Sequence, residues 1–410
     1  MKARLEEMPS RIEPARIDTL GGDLPDLVAE VAAKAERLGH SLHPKTAANL
    51  SDLVRLMNTY YSNLIEGHNT RPRDIERALA GARDEGQRDL QQEAVAHYRL
   101  QERIDRQAAS GELPDPADPD FIRQLHRDFY AGASVEMLTI RSGDRSFTMQ
   151  PGEWRSVAEQ DVEVGRHLPP TSACVPAFMD YFHLRFAFDP APGRVLQGVG
   201  KGKAKRLLAT ATAHHRFNWI HPFPDGNGRV SRLMSHAMAH ASGIGAHGLW
   251  SISRGLARGL QLGLDGRGEY KQHMAWADEV RQGDRDGRGH LSLKGLELFT
   301  GWFLRVCIDQ LTYMSDLFEL DALSKRLDRH VALSETLPKE SARLLQEALM
   351  RGEIDRGEAE RITQMPERSA RRVLKQLIDE GLLASDTPKG PVSLRFPSAT
   401  LDTLFPRLYA

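Results

Sequence analysis

The sequence predicts a mainly α-helical fold: a bundle of roughly eight helices around one motif-bearing helix, with a small β-hairpin and a C-terminal winged helix-turn-helix. Three observations predict it. Apolar residues recur every three or four positions through most of the chain. One stretch, Arg145 to Pro170, breaks that period with short alternations and glycines. From about Leu333 onward the helices shorten and give way to a turn-rich extended segment.

In chain order, Leu50, Leu53, Val54, Met57, Tyr61, Leu64 and Ile65 form one amphipathic stripe, and Gly67 is its natural C-terminal stop. Further helices are expected over Asp74 to Ala82, Gln87 to Arg106 and Phe121 to Ala131, with Gly111 to Asp120 (GELPDPADPD) as a surface connection. The stretch RSFTMQPGEWRSVAEQDVEVGRHLPP, Arg145 to Pro170, reads as a hairpin. A helix over Ser172 to Phe188 follows, and then Asp189 to Arg206, which lacks the glycine spacing of a phosphate loop and reads as a mobile basic insertion. Short helices at Lys339 to Met350, Gly357 to Ile362 and Glu367 to Asp379, then Leu382 to Phe396 turning at Pro388, Lys389 and Gly390, give the winged-helix expectation.

Composition excludes several classes. With 410 residues, 40% hydrophobic and 27% charged, the chain is an ordinary globular protein of two or three domains, neither disordered nor collagen-like. Lys and Arg number 55 against 56 Asp and Glu, a net charge of -1, so any attraction to phosphate or nucleic acid must be local. Cys174 and Cys307 have neither metal-ligand nor redox spacing and read as buried, reduced thiols. The N-terminus lacks a signal-peptide h-region, and no run of about 18 apolar residues exists to span a bilayer, which predicts a cytoplasmic protein with no membrane partner.

The chemistry concentrates in HPFPDGNGRVSR, His221 to Arg232, between two apolar-periodic stretches. Gly226, Asn227 and Gly228 allow successive N–H groups to converge, and the following helix adds its positive N-terminal end, making an anion cradle. Arg229 and Arg232 are three apart and can grip further phosphate oxygens as forked donors. Asp225 offers the hard oxygen that Mg2+ takes when shared with phosphates. His221 titrates near neutrality and can serve as general base toward an attacking hydroxyl.

This segment resembles the Fic motif, His-x-Phe-x-[Asp/Glu]-Gly-Asn-Gly-Arg-x-x-Arg, with every specified position present. HHRFNWIHPF, WSISRGLARG and GDRDGRGHLS are similar to Fic segments too, so the resemblance spans roughly residues 45–320. It implies a protein adenylyltransferase that moves AMP from ATP to a Ser, Thr or Tyr hydroxyl of a protein target. By that resemblance His221 is the base, Asp225 holds Mg2+, Gly226, Asn227 and Gly228 cradle the α and β phosphates, and Arg229 and Arg232 hold the β and γ phosphates. Phe223 would anchor the loop, and Val162, Glu163, Val164 and Gly165 would form the target-docking flap. The expected division is 1–110 as an N-terminal helical region, 111–325 as the Fic catalytic domain and 326–410 as the winged-helix-like domain. A homodimer is compatible with it.

Glu66 ends the first strong helix, where a carboxylate faces the negative end of the helix dipole and calls for a cation. Ser62 to Gly67, SNLIEG, resembles the inhibitory motif [Ser/Thr]-x-x-x-Glu-[Gly/Asn] of Fic proteins. The resemblance implies that Glu66 pairs with Arg232, where the γ phosphate would lie, and it leaves open a role in removing AMP from a modified target. A zinc hydrolase built on His214, His215, His221 and Asp225 is disfavoured, because adjacent histidines point about 100° apart on a helix. The alternative function is a DNA-binding transcriptional regulator with a nucleotide-sensing Fic-like core, its recognition helix carrying Arg368, Arg371, Arg372 and Lys375.

Overall fold

A computed structural model describes residues 7–19, 21–82, 88–142, 145–189, 198–261, 265–406 and 408–409. The chain divides into two compact units, the first running up to Ala33 and then covering Asn58–Gly245 and Ser251–Gln310. The second unit covers Lys34–Met57, Ala246–Trp250 and the chain from Leu311 on. The fold is mainly helical with two small two-stranded sheets among the described residues, as the apolar period predicts.

The first helices are α1 (Leu24–Gly39), α2 (Pro44–Ile65), α3 (Pro72–Leu79) and α4 (Arg88–Ser110). Helix α5 (Pro119–Phe129) shows how local sequence sets a boundary. The Asp118 carboxylate accepts from the N–H groups of Asp120 and Phe121 at 2.8 and 3.2 Å, and Pro119 takes the first turn, where no N–H is needed. Phe121, Ile122, Leu125 and Phe129 then form its buried stripe. After the short α6 (Val135–Leu138), strands β1 (Thr139–Ser142) and β2 (Arg145–Thr148) pair antiparallel, Ile140 opposite Phe147.

Helices α7 (Val175–Phe186), α8 (Lys203–Ile220) and α9 (Asn227–Ala241) build the core of this unit. Phe178, Phe182 and Phe186 of α7 meet Phe217 and Ile220 of α8 and Val230, Leu233 and Met234 of α9 in one cluster. From Leu207 on, α8 is buried on nearly all sides, so its polar groups must be satisfied internally. Thr210 and Thr212 donate to carbonyls one turn back, and the buried Arg216 donates to the carbonyls of Pro14 and Ala277. Helices α10 (Ile252–Arg258), α11 (Gly266–Ala277) and α12 (Leu293–Leu317) follow.

The second unit adds α13 (Leu320–Leu333), α14 (Ser341–Arg351), α15 (Ala359–Thr363), α16 (Glu367–Asp379), the strand pair β3 (Leu383–Ala384) and β4 (Ser393–Leu394), and α17 (Leu401–Leu404). Its core joins Leu344, Leu345, Ala348 and Leu349 to Ala370, Val373, Leu374 and Leu377, with Ile354 bridged to Val392. Among the described residues, no helix is long and apolar enough to cross a membrane.

Three expectations need correction. The strand pair lies at Thr139 to Thr148; of the stretch expected to be a hairpin only Arg145 to Thr148 is strand, and further on Val164 and His167 make a single tight bridge. The proposed mobile basic insertion ends earlier than Arg206, because Lys203, Lys205 and Arg206 belong to α8; positions 190–197 of it lie outside the described residues. Arg206 is fixed by the carbonyls of Gly200, Phe188 and Ala241. Both cysteines are free thiols, but only Cys307 is buried while Cys174 is half-buried.

Candidate active site

The motif occupies the turn between α8 and α9. Helix α8 stops at His221, which takes φ 50° and ψ 62°, a left-handed conformation that a non-glycine residue keeps only when its surroundings impose it. Arg155 imposes it. Its wholly buried guanidinium donates from Nε to the His221 carbonyl at 2.7 Å and from Nη2 to the Ile220 carbonyl at 3.0 Å, while its own N–H donates to the Pro222 carbonyl. The motif itself held no sign of this partner, 66 positions upstream.

The loop closes on itself through Asn227. Its side-chain oxygen accepts from the Phe223 N–H at 2.9 Å and its amide donates back to the Phe223 carbonyl at 2.8 Å. Phe223 is buried and stacks on His126 with centroids 3.8 Å apart. His126 accepts from the Gly152 N–H at Nδ1 and lies 3.2 Å from the Asp225 carbonyl at Nε2, which requires the neutral ring; burial pushes its pKa down to about 4. Gly226 sits at φ 80°, and a Cβ there would lie 2.9 Å from the Tyr130 ring, so the left-handed turn and the close approach both require glycine.

Helix α9 then begins at Asn227, and its first N–H groups lack intrahelical partners. Both cations stand at this end. Arg229 is buried and engages Glu93, Tyr130 (2.9 Å) and Asp225 (3.0 Å), and its Nε has no partner among the described residues. Arg232, 2% exposed, donates from Nε to the Ser62 hydroxyl at 2.9 Å, and from Nη2 to the Ser62 carbonyl at 3.1 Å and Glu66 Oε1 at 2.6 Å. Glu66 follows the last residue of α2, and burial would raise its pKa, but Arg232 and then Arg229 hold it below the usual carboxylate range. A Cβ on Gly228 would lie 2.4 Å from Glu66 Oε1, so Gly228 is what leaves room for that carboxylate.

The His221 side chain is half-buried, with its Nδ1 out of solvent. Burial first, and Arg155 second, push its pKa down to about 4, so the ring is neutral near pH 7, and its Nδ1 has no partner among the described residues. The Asp225 carboxylate, 48% exposed, accepts from Tyr130 and Arg229; burial opposes its ionisation, but Arg229 and the Gly226 N–H outweigh that and keep it charged. An ionised, half-exposed oxygen donor beside an anion cradle fits a hard divalent cation shared with phosphates. His214 and His215 instead contact Ser235, Tyr270, Met274 and Asp278, so they do not join His221 in a metal centre.

Residues 116–239 match the model of the Fic/DOC family. The chain carries a Fic/DOC domain. A crystal structure of a Fic family protein from Desulfovibrio desulfuricans G20 resembles the whole fold, with a TM-score of 0.50 and 17% identity over 93% of this chain and 98% of that one. A Fic domain containing signaling protein from Bacteroides thetaiotaomicron is 22% identical over 70% of this chain and 95% of its own, with a TM-score of 0.48. Fic-1 from C. elegans (aa134–508) is 14% identical over 73% of each chain, with a TM-score of 0.49. No curated protein matches the chain.

The motif positions lie in the turn between α8 and α9 and in the first turns of α9, and Ser62 of α2 and Glu66 just beyond it lie against Arg232. Val162 and Glu163 line a groove with Arg11, Arg16 and Arg145, and Val164 bridges to His167, whose Nε2 lies 2.7 Å from the Trp219 carbonyl just before the motif. Sequence reasoning missed Arg155, Tyr130 and Glu93, each far from the motif in the chain. It also passed over His236 and His240, whose spacing of four on α9 was readable; Asp105 of α4 lies against both.

The Asn227 clasp generates a prediction. Asn227→Ala removes both bonds and leaves the buried Phe223 N–H and carbonyl unsatisfied, at about 1–3 kcal/mol for each group. Urea unfolding of the full chain should show a loss of about 2–6 kcal/mol, and an unchanged midpoint would mean that the clasp does not hold the loop.

Proposed function

We propose that this chain is a protein adenylyltransferase, transferring AMP from ATP to a hydroxyl side chain of a protein target, and that Glu66 holds it back. Fic family members generally transfer AMP or other nucleotide-derived groups to proteins. The observation that carries the reading is the buried Arg232 guanidinium at the cradle, paired with Glu66 where a phosphate would otherwise sit. The unpartnered Arg229 Nε and His221 Nδ1 support it as well, since buried polar atoms without partners are rare outside sites that take a ligand.

In this mechanism the neutral His221 imidazole takes the proton of the target hydroxyl, whose oxygen bonds to the α phosphorus. The bond from that phosphorus to the oxygen bridging the β phosphate breaks, and pyrophosphate leaves with the electron pair. The N–H groups at Gly226 to Gly228 and the α9 N-terminus receive phosphate oxygens, so the rate gain comes mainly from positioning and charge stabilisation. Asp225 would hold Mg2+, which supplies charge neutralisation across the phosphates. Arg229 and Arg232 receive the terminal phosphates once their carboxylate partners give way.

A second reading, compatible with the first, is favoured by α16. Arg368, Arg371, Arg372 and Lys375 are exposed opposite its buried Ala370, Val373 and Leu377, and α15 and α16 join in a tight helix-turn-helix. Arg371 and Lys375 pair with Glu367 and Asp379, which leaves Arg368 and Arg372 as the stronger candidates for phosphate contacts. The winged-helix-like domain proposed for 326–410 would then dock on DNA.

Three outcomes test these readings. A charge-assisted hydrogen bond contributes about 1.5–3 kcal/mol, so Glu66→Gly should raise self-labelling from labelled ATP by about 10- to 100-fold, and His221→Ala in that background should abolish it; equal labelling with and without Glu66 would remove the brake. In the Glu66→Gly variant, kcat/KM should stay flat down the acid range and fall only as pH drops through about 4, where His221 gains its proton. An acid limb at the ordinary imidazole value would contradict the depressed pKa. For DNA, replacing Arg368 and Arg372 by Ala in the full chain should lower the slope of log K against log salt by about 2, whereas wild-type protein that binds no duplex would end the second reading.

A further inference from the structure

His236 and His240 stand one turn apart on the same face of α9, and Asp105 reaches them from α4. Their Nε2 atoms lie 2.6 and 3.0 Å from one and the same oxygen, Asp105 Oδ1, and the two rings meet nearly edge to face, 4.8 Å apart at 80°. All three ligand atoms lie within 4.8 Å of one another. The side chains are 12%, 7% and 9% exposed for Asp105, His236 and His240, which leaves an opening to solvent without making this a surface patch. The His240 ring is also confined from behind, since a Cβ on Gly245 would lie 2.3 Å from its Nδ1.

We infer that Asp105, His236 and His240 form a binding site for a late first-row divalent metal ion, with Zn2+ the best match. Two imidazole nitrogens and one carboxylate oxygen are the donor set that Zn2+ takes with a fourth position left to water. Mg2+ is disfavoured, because it demands oxygen ligands in an octahedron. Ligands about 2.0–2.2 Å from a tetrahedral ion stand roughly 3.3 Å apart, so the two contacts with Asp105 Oδ1 have to open by less than 1 Å while the two Nε2 atoms, within 4.8 Å of each other, draw to that spacing. Each imidazole now shares a proton with the carboxylate, and the ion takes the place of both protons. The site lies about 13–20 Å along α9 from Asn227, so it is distinct from the Asp225 position.

The consequence is mechanical. Helix α4 also carries Glu93, which pairs with Arg229 near the start of α9. A metal at the far end would pin the same two helices together and fix the register in which Glu93 meets Arg229.

The test is metal binding by the full chain, freed of metal by chelation and dialysis. Zn2+ titration should show one tight equivalent with a rise in Tm, and Co2+ in its place should give the visible absorption bands of a tetrahedral centre. Outer-shell losses alone weaken metal about 10- to 100-fold, so His240→Gln and Asp105→Asn should each weaken Zn2+ by more than about 100-fold. His240→Gln keeps a polar side chain of similar reach, so its circular dichroism should match wild type. His221→Ala should keep the full equivalent, which separates this site from the proposed chemistry. No Zn2+ or Co2+ bound by wild type, or binding unchanged in both site variants, would overturn the inference.

Discussion

A guanidinium removed from water must have anions or carbonyls around it, and Arg232 puts that demand in the second turn of α9. Breaking such a buried pair costs about 3–5 kcal/mol when one partner is removed. Arg232 meets the demand with three groups of one segment, the carbonyl and hydroxyl of Ser62 and the carboxylate of Glu66. The end of α2 is thereby held against the start of α9. Arg229 imposes the same condition one turn earlier and draws in Glu93 from α4 and Tyr130, which follows α5. The helices around the motif are arranged by two positive charges that the core cannot leave unpaired.

The loop that carries the motif obeys a different constraint, that of buried backbone groups. Asn227 satisfies the two groups of Phe223, Arg155 satisfies the carbonyls of Ile220 and His221, and His126 bridges Gly152 to Asp225. None of these bonds involves an atom to which the proposed mechanism gives a reacting role. They make a left-handed His221 tolerable and leave the first N–H groups of α9 without intrahelical partners.

Much of this was legible because it is local. The motif lies within one turn and the helix that follows it, so residue type and spacing were enough to bring His221, Asp225, Arg229 and Arg232 together. Glu66 was legible for a physical reason as well, since a carboxylate at a helix C-terminus needs a cation. Arg155 and Glu93 were not, because nothing in their own neighbourhoods distinguishes them from surface residues, and only the folded chain brings them 66 and 136 positions to their partners. Lys203 to Arg206 misled the reading: cations in a first helical turn oppose the dipole, and Arg206 is tolerated there because three carbonyls receive it. The strand pair was misplaced because Thr139 to Thr148 is short and largely polar, with no alternation strong enough to mark it.

Gly228 joins two requirements in one missing side chain. The absent Cβ leaves the N-terminal turn of α9 bare, and the same vacancy accommodates the Glu66 carboxylate. Any residue larger than glycine would expel Glu66 and obstruct the cradle together. If the proposed restraint holds, variation that loosens it while sparing the proposed phosphate site is confined to α2 and the residues just beyond it. On the proposed reading the carboxylate and the cradle come from separate stretches of chain, so changes in the first need not rewrite the second.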